Sequence, residues 1–172
     1  YHVMALKSPL TGSVASAISG GFWGPYLKYS GFDIIVVKGA AEKPVYLWID
    51  DGKVEFRDAA HLWGRTVFET TRTVKDEVYN KDAKVLTIGP AGENKVRFAA
   101  IMNDEHRAAG RTGVGAVMGS KKLKAIAVYG TQKIHVEKLD ELKTVAYEMI
   151  QRLRKNPVTG SGLPKYGTAV LV

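Results

Sequence analysis

Apolar and polar positions along this chain fall into short runs cut by glycine, and their spacing alternates between strand-like and helix-like. Val3-Met4-Ala5-Leu6 is an apolar run that leaves through Lys7-Ser8-Pro9-Leu10-Thr11-Gly12, where proline and glycine dictate a turn. Phe22, Tyr26 and Tyr29 recur at near-helical spacing between Ser19-Gly20-Gly21 and Gly31, which predicts a helix over 22–30. Free backbone N–H groups at such a start can bind an anion, although an ordinary glycine turn with an aromatic core face is the commoner arrangement. Ile34-Ile35-Val36-Val37 is a continuous β-branched run and predicts a strand buried on both faces. The clearest hairpin signal is Asp50-Asp51-Gly52-Lys53 between the runs 45–49 and 54–57. A turn or short helix is expected over 58–63, and an amphipathic helix over 66–79, with Val67, Thr70, Val74 and Val78 on one side.

Val85-Leu86-Thr87-Ile88 predicts a strand, as does 96–102; 103–111 reads as a loop, 114–121 as a short helix and 125–129 as a strand closing on Gly130. A longer helix is expected over 136–155, with Leu139, Leu142, Val145, Ala146, Met149, Ile150 and Leu153 on one stripe. The proline- and glycine-rich 156–167 reads as a connector. The order strand, polar loop, glycine turn, short helix, strand, glycine occurs over 3–39 and again over 98–130, with Asp33-Ile34-Ile35-Val36-Val37-Lys38-Gly39 matching Lys124-Ala125-Ile126-Ala127-Val128-Tyr129-Gly130. That is either a duplicated unit or a coincidence of common elements; a duplication would offer two backbone cradles, one for each of two phosphates.

At 172 residues and 45% apolar, the chain suits one domain with a substantial core. The net charge of +8 indicates an anionic partner or a positive field. The basic residues are dispersed, without the clustered stripe or aromatic interleaving of nucleic-acid surfaces, so nucleic acid ranks low as the partner. Cysteine is absent, which excludes thiolate metal sites, cluster ligation and cysteine nucleophiles within these residues. No window reaches the length of a membrane span. The chain begins at Tyr1 inside a strand-like run and stops in Ala169-Val170-Leu171-Val172, so an excerpt of a longer protein is expected.

Candidate chemistry concentrates between Gly89 and Gly130, where seven glycines lie near Arg107 and Arg111. Glycine admits close backbone approach, and arginine offers a planar fork of donors suited to phosphate. The residues alone therefore read as a polyanion cradle. The four histidines, His2, His61, His106 and His135, have no metal-site spacing; only His106, beside Arg107, is a candidate cofactor contact. Asp104-Glu105 reads as a loop cap, not an acid–base pair. Gly113-Val114-Gly115 lacks the third glycine of a dinucleotide fingerprint. No catalytic group is assigned.

The run Asn103-Asp104-Glu105-His106-Arg107-Ala108-Ala109-Gly110-Arg111 and the following Gly113-Val114-Gly115-Ala116-Val117-Met118-Gly119-Ser120-Lys121 resemble the N-terminal domain of the aldehyde ferredoxin oxidoreductase family. So do Lys7-Ser8-Pro9-Leu10-Thr11-Gly12, Ser19-Gly20-Gly21-Phe22-Trp23-Gly24, Ala41-Glu42-Lys43-Pro44-Val45-Tyr46, Gly89-Pro90-Ala91-Gly92-Glu93-Asn94 and Gly162-Leu163-Pro164-Lys165-Tyr166-Gly167-Thr168-Ala169, in order from end to end. The resemblance implies an α+β fold of two stacked mixed sheets flanked by helices. It places a pterin-binding domain, incomplete at its start, over 1–135, and a packing helix and connector towards further domains over 136–172.

It also implies a tungsten or molybdenum bis-pterin cofactor with magnesium bridging the pterin phosphates, and a 4Fe-4S cluster held by other parts of the polypeptide. Cofactor contacts carried over by position fall on Tyr1, Ile18, Gly20, Arg107, Ala108 and Gly110, with magnesium at the carbonyls of Ile18 and Ala108. Tyr1 stands where relatives have arginine and removes one phosphate-binding charge; Ile18 replaces an asparagine but keeps its carbonyl. The implied whole is a cytoplasmic enzyme that oxidises an aldehyde with water to a carboxylate and passes electrons to ferredoxin, with a homodimer as its assembly and neither nucleic acid nor membrane as partner. The alternative is a pterin- or anion-binding module without catalysis.

Overall fold

The computed structural model describes residues 1–171, in two compact units, Tyr1–Ile134 and His135–Val172. Val172, the last residue of the terminal apolar run, lies outside the described residues. In the first unit, β1 (His2–Lys7) and β2 (Val14–Ser19) form an antiparallel two-stranded sheet. A six-stranded sheet is built from β3 (Val45–Asp50), β4 (Lys53–Asp58), β5 (Lys84–Thr87), β6 (Ile101–Asn103), β7 (Arg107–Ala109) and β8 (Leu123–Tyr129). Its order is β4-β3-β8-β5-β6-β7, and only the β3–β8 pairing is parallel. The expectation of an α+β chain with two sheets flanked by helices holds; the smaller sheet is purely antiparallel.

The sheet is covered on both faces, and β3 shows why. Leu47 and Ile49 belong to a cluster with Trp23, Leu27, Met118 and Ile126. Tyr46 and Trp48 belong to another with Leu62, Val74, Ala125 and Ala127. Alternate side chains along a strand face opposite ways, so α1 (Trp23–Tyr29) and α4 (Val114–Ser120) supply one cover and α2 (Val67–Glu77) the other. The β3–β4 turn uses Asp51 and Gly52 at φ +41° and +89°, the backbone that a two-residue hairpin loop needs. Helix α2 starts at Thr66 with a capping box: the Thr66 side chain accepts from the Glu69 N–H, and the Glu69 carboxylate accepts from the Thr66 N–H at 2.9 Å.

The pairing of β8 with β3 slips by one residue, because Val45 faces Leu123 while Tyr46 faces Ala125. Lys124 is the extra residue, and such a bulge re-aims a side chain. Its ammonium is fully buried, donates to the Arg65 carbonyl at 2.9 Å and pairs with the Glu93 carboxylate of α3 (Pro90–Glu93). Glu93 also accepts from the Gly64 N–H at 2.8 Å. Burial lowers the Lys124 pKa from its ordinary value, against the opposing pull of Glu93.

Several sequence expectations are corrected. Ile34-Ile35-Val36-Val37 forms no strand, and Ile34 and Val36 are exposed, because no neighbour among the described residues pairs with the run. The duplication consequently fails at this strand. Within 96–102 only the end is a strand, β6, since Val96 and Ala99 are engaged in turn hydrogen bonds. The span 103–111 contains β7, drawn into the sheet by the register Asn103–Arg107, Met102–Ala108 and Ile101–Ala109. In the second unit, α5 (Leu139–Lys155) begins three residues later than expected and has no buried residue. No helix among the described residues is long and apolar enough to cross a membrane.

Candidate functional site

Two turns meet where β2 and β7 approach one another. The first is Ser19-Gly20-Gly21-Phe22, between β2 and α1; the second is Asp104-Glu105-His106, between β6 and β7. Asp104 and Glu105 both adopt positive φ, +48° and +61°, which closes the hairpin so tightly that Arg107 stands opposite Asn103. Gly21, at φ +88°, lies under this turn: a Cβ there would sit 2.5 Å from Asp104 Oδ2, 2.8 Å from Asn103 Nδ2 and 3.2 Å from Arg107 Cγ. Only glycine allows the two turns to come this close.

Three side-chain bonds fasten the turns. Asn103, 1% exposed, accepts from Ser19 Oγ at 2.7 Å through Oδ1 and donates to the Gly20 carbonyl at 2.9 Å through Nδ2. Asp104 Oδ2 accepts from the Phe22 N–H at 2.6 Å. The N–H groups at the start of α1 are therefore not all free, as the sequence suggests they are; the chain's own carboxylate takes one. Asp104 does cap, though across the molecule and not within its own loop.

The charged groups are left available. Among the described residues, Arg107 and Arg111 are exposed and pair with no carboxylate. Tyr1 is 91% exposed and its ring is the nearest group to a Cβ placed on Gly20, at 3.7 Å; Ile18 is 60% exposed. Ala108 and Gly110 are exposed on and just after β7. The structure thus brings Tyr1, Gly20 and Arg107 around the paired turns, with Ile18 on β2 and Ala108 on the neighbouring β7. His106 is exposed, with its ring 5.8 Å from that of Phe68 of α2.

This donor set fits a phosphate-bearing cofactor: an unpaired guanidinium, small residues exposing backbone, and a carboxylate already committed to Phe22 and so not competing for Arg107. A cavity of about 760 Å³ shares Tyr1 with these turns and extends away from them, with Met4, Leu27, Val114 and Ile126 in its wall. Its wall is mostly apolar but also carries Lys7, Lys28 and Lys121. Sequence reasoning missed Asn103 and Asp104 as the pieces that join the turns; the available signal was the adjacency of a buried-type amide and a carboxylate to the arginine.

An α+β domain that exposes small residues and unpaired arginines around two paired turns is the class these features define. The chain belongs to the aldehyde ferredoxin oxidoreductase family, whose sequence model "Aldehyde ferredoxin oxidoreductase, N-terminal domain" matches residues 1–130. It is 57% identical over 172 residues to the tungsten-containing aldehyde ferredoxin oxidoreductase of Pyrococcus furiosus, covering 100% of this chain and 28% of that protein. The same identity and coverage relate it to the enzyme so named from Thermococcus kodakarensis. A solved structure, the active site complex BamBC of benzoyl coenzyme A reductase with 1,5-dienoyl-CoA, superposes with a TM-score of 0.86 at 41% identity, over 88% of this chain and 23% of that one. The chain spans 28% of the length of the curated relatives described.

Proposed function

We propose that this chain is the cofactor-binding base of a tungsten-dependent oxidoreductase that converts an aldehyde and water to a carboxylate. The observation that carries the proposal is the unpaired Arg107 seated over Gly21, next to Gly20 and the exposed Ala108 and Gly110. Arg107 holds phosphate oxygens by its fork of donors, while Tyr1, Ile18, Gly20, Ala108 and Gly110 provide ring and backbone contacts along the edges of the cofactor. The carbonyls of Ile18 and Ala108 are the candidates for magnesium. The bis-pterin metal centre supplies the redox chemistry when bound, and this chain contributes charge neutralisation and orientation. Electron passage through a 4Fe-4S cluster to ferredoxin belongs to other parts of the polypeptide. A homodimer and a cytoplasmic location complete the reading and rest on the resemblance alone.

Aldehyde oxidation is preferred to reduction of an aromatic acyl-CoA because the identity to the aldehyde enzymes, 57%, exceeds the 41% to the reductase component. The test is the full-length protein isolated anaerobically. Stoichiometric tungsten and pterin with aldehyde-dependent viologen reduction is the expected result, and Arg107→Ala lowers the cofactor content. A full-length protein that carries neither metal nor pterin and reduces no dye with any aldehyde overturns the proposal.

A further inference from the structure

We infer that Asn103 and Asp104 are positioning residues that hold the two cofactor turns in register and so set where Arg107 points. The inference rests on the cofactor-binding reading above. The two turns leave different sheets, β2 from the small one and β7 from the large one, and no main-chain ladder joins those sheets in the strand pairing. The side chains of Asn103 and Asp104 supply the join. One amide satisfies Ser19 Oγ and the Gly20 carbonyl together, and one carboxylate takes the Phe22 N–H.

The geometry makes these roles specific. Asn103 is buried and uses its acceptor on one residue and its donor on the next, so neither aspartate nor leucine reproduces both bonds. Asp104 reaches Phe22 only because its own backbone is at positive φ. Arg107 packs its Cγ against the same Gly21 that the two side chains flank. Fixing the Gly20 carbonyl and the base of Arg107 from one pair of neighbouring residues keeps the backbone and guanidinium halves of the cradle at a constant separation. Preorganisation of this kind is what separates a loose set of contacts from a binding site.

The experiment uses the full-length protein produced with tungstate, with tungsten and pterin per polypeptide and the melting temperature measured on each variant. Asp104→Ala is expected to lower cofactor content roughly ten-fold, as loss of an orienting partner does at metal sites. Asp104→Asn, whose amide oxygen still accepts from Phe22, restores it. The double variant D104A/R107A carries no less cofactor than R107A alone, because Asp104 acts through the same contact. A purely structural role predicts instead losses that add, that follow the melting temperature and that ignore the Asn rescue; that pattern overturns the inference. Wild-type cofactor content in D104A also overturns it while leaving the cofactor-binding reading intact, whereas a wild-type protein without tungsten or pterin removes the reading itself. Should D104A fail to accumulate, Ser19→Ala, which loosens Asn103 and leaves the carboxylate in place, is held to the same outcomes.

Discussion

Replacing Lys124 by Met is the most informative test of how the core is built. Lys124 has no exposed surface and Glu93 is 4% exposed at its side chain, so the variant leaves a carboxylate buried with only the Gly64 N–H for company. Breaking a buried pair from one side costs about 3–5 kcal/mol, a large part of the roughly 5–15 kcal/mol that holds a domain together. The Arg65 carbonyl loses its donor as well, which keeps the expectation at the upper end of that range. Removing both charges, as Lys124→Met with Glu93→Leu, eliminates the uncompensated carboxylate and recovers about 3–5 kcal/mol relative to the single variant.

Denaturant unfolding followed by the fluorescence of Trp48, buried in β3, reads both values. The pH dependence carries a second check. Burial puts the folded pKa of Lys124 below its ordinary value of 10.5, so in the window beneath that value the unfolded chain binds more protons and stability rises with pH. K124M abolishes this rise. A K124M variant within about 1 kcal/mol of the parent, or a double variant less stable than K124M, refutes the account of Lys124 as a bulge-directed buried partner of Glu93.

Three further variants test the fold and the site. Thr66→Ala removes the N-cap of α2 and costs about 1 kcal/mol in denaturant unfolding. The same Thr66 bonds hold the Glu69 pKa below its ordinary 4.5, so the contribution present above that value fades as pH falls through the depressed one, and T66A flattens this acid limb. Gly119→Ala places a Cβ against the Gly92 carbonyl where α3 meets α4 and destabilises by about 1–3 kcal/mol or more, with the same unfolding assay as the check. Arg107→Lys keeps the charge but loses the fork, and full-length protein bearing it is expected to hold cofactor at a level between wild type and R107A, measured as tungsten per polypeptide.

The elements legible in the sequence are those whose cause is local. Asp51-Gly52 sets the β3–β4 hairpin, and Thr66 with Glu69 marks the start of α2. What escaped reading depends on distant partners. Arg107-Ala108-Ala109 carries no strand composition and becomes β7 only through its register with β6. Val14-Ala15-Ser16-Ala17-Ile18-Ser19 has polar residues at every third position and no period of two, and becomes β2 by pairing with β1; its small side chains gave little signal. Conversely, the strong β-branched signal at 34–37 meets no partner strand among the described residues, and propensity without pairing does not make a sheet. At the site, Arg107 and the glycines were readable as chemistry. Asn103 and Asp104 were not, because their function lies in contacts more than 80 residues away along the chain.

The strand order has a consequence for how the chain acquires its structure. The β3–β4 hairpin and the β5–β6–β7 meander are each local in sequence, yet they touch through β8, which lies between them and follows both along the chain. Until residues 123–129 leave the ribosome, the large sheet exists only as two separate pieces, each with one apolar edge waiting. Non-local and parallel pairing of this kind forms slowly, and uncovered edges invite association with other chains. The turn between β6 and β7 therefore belongs to a complete sheet only after the central strand has joined the two pieces.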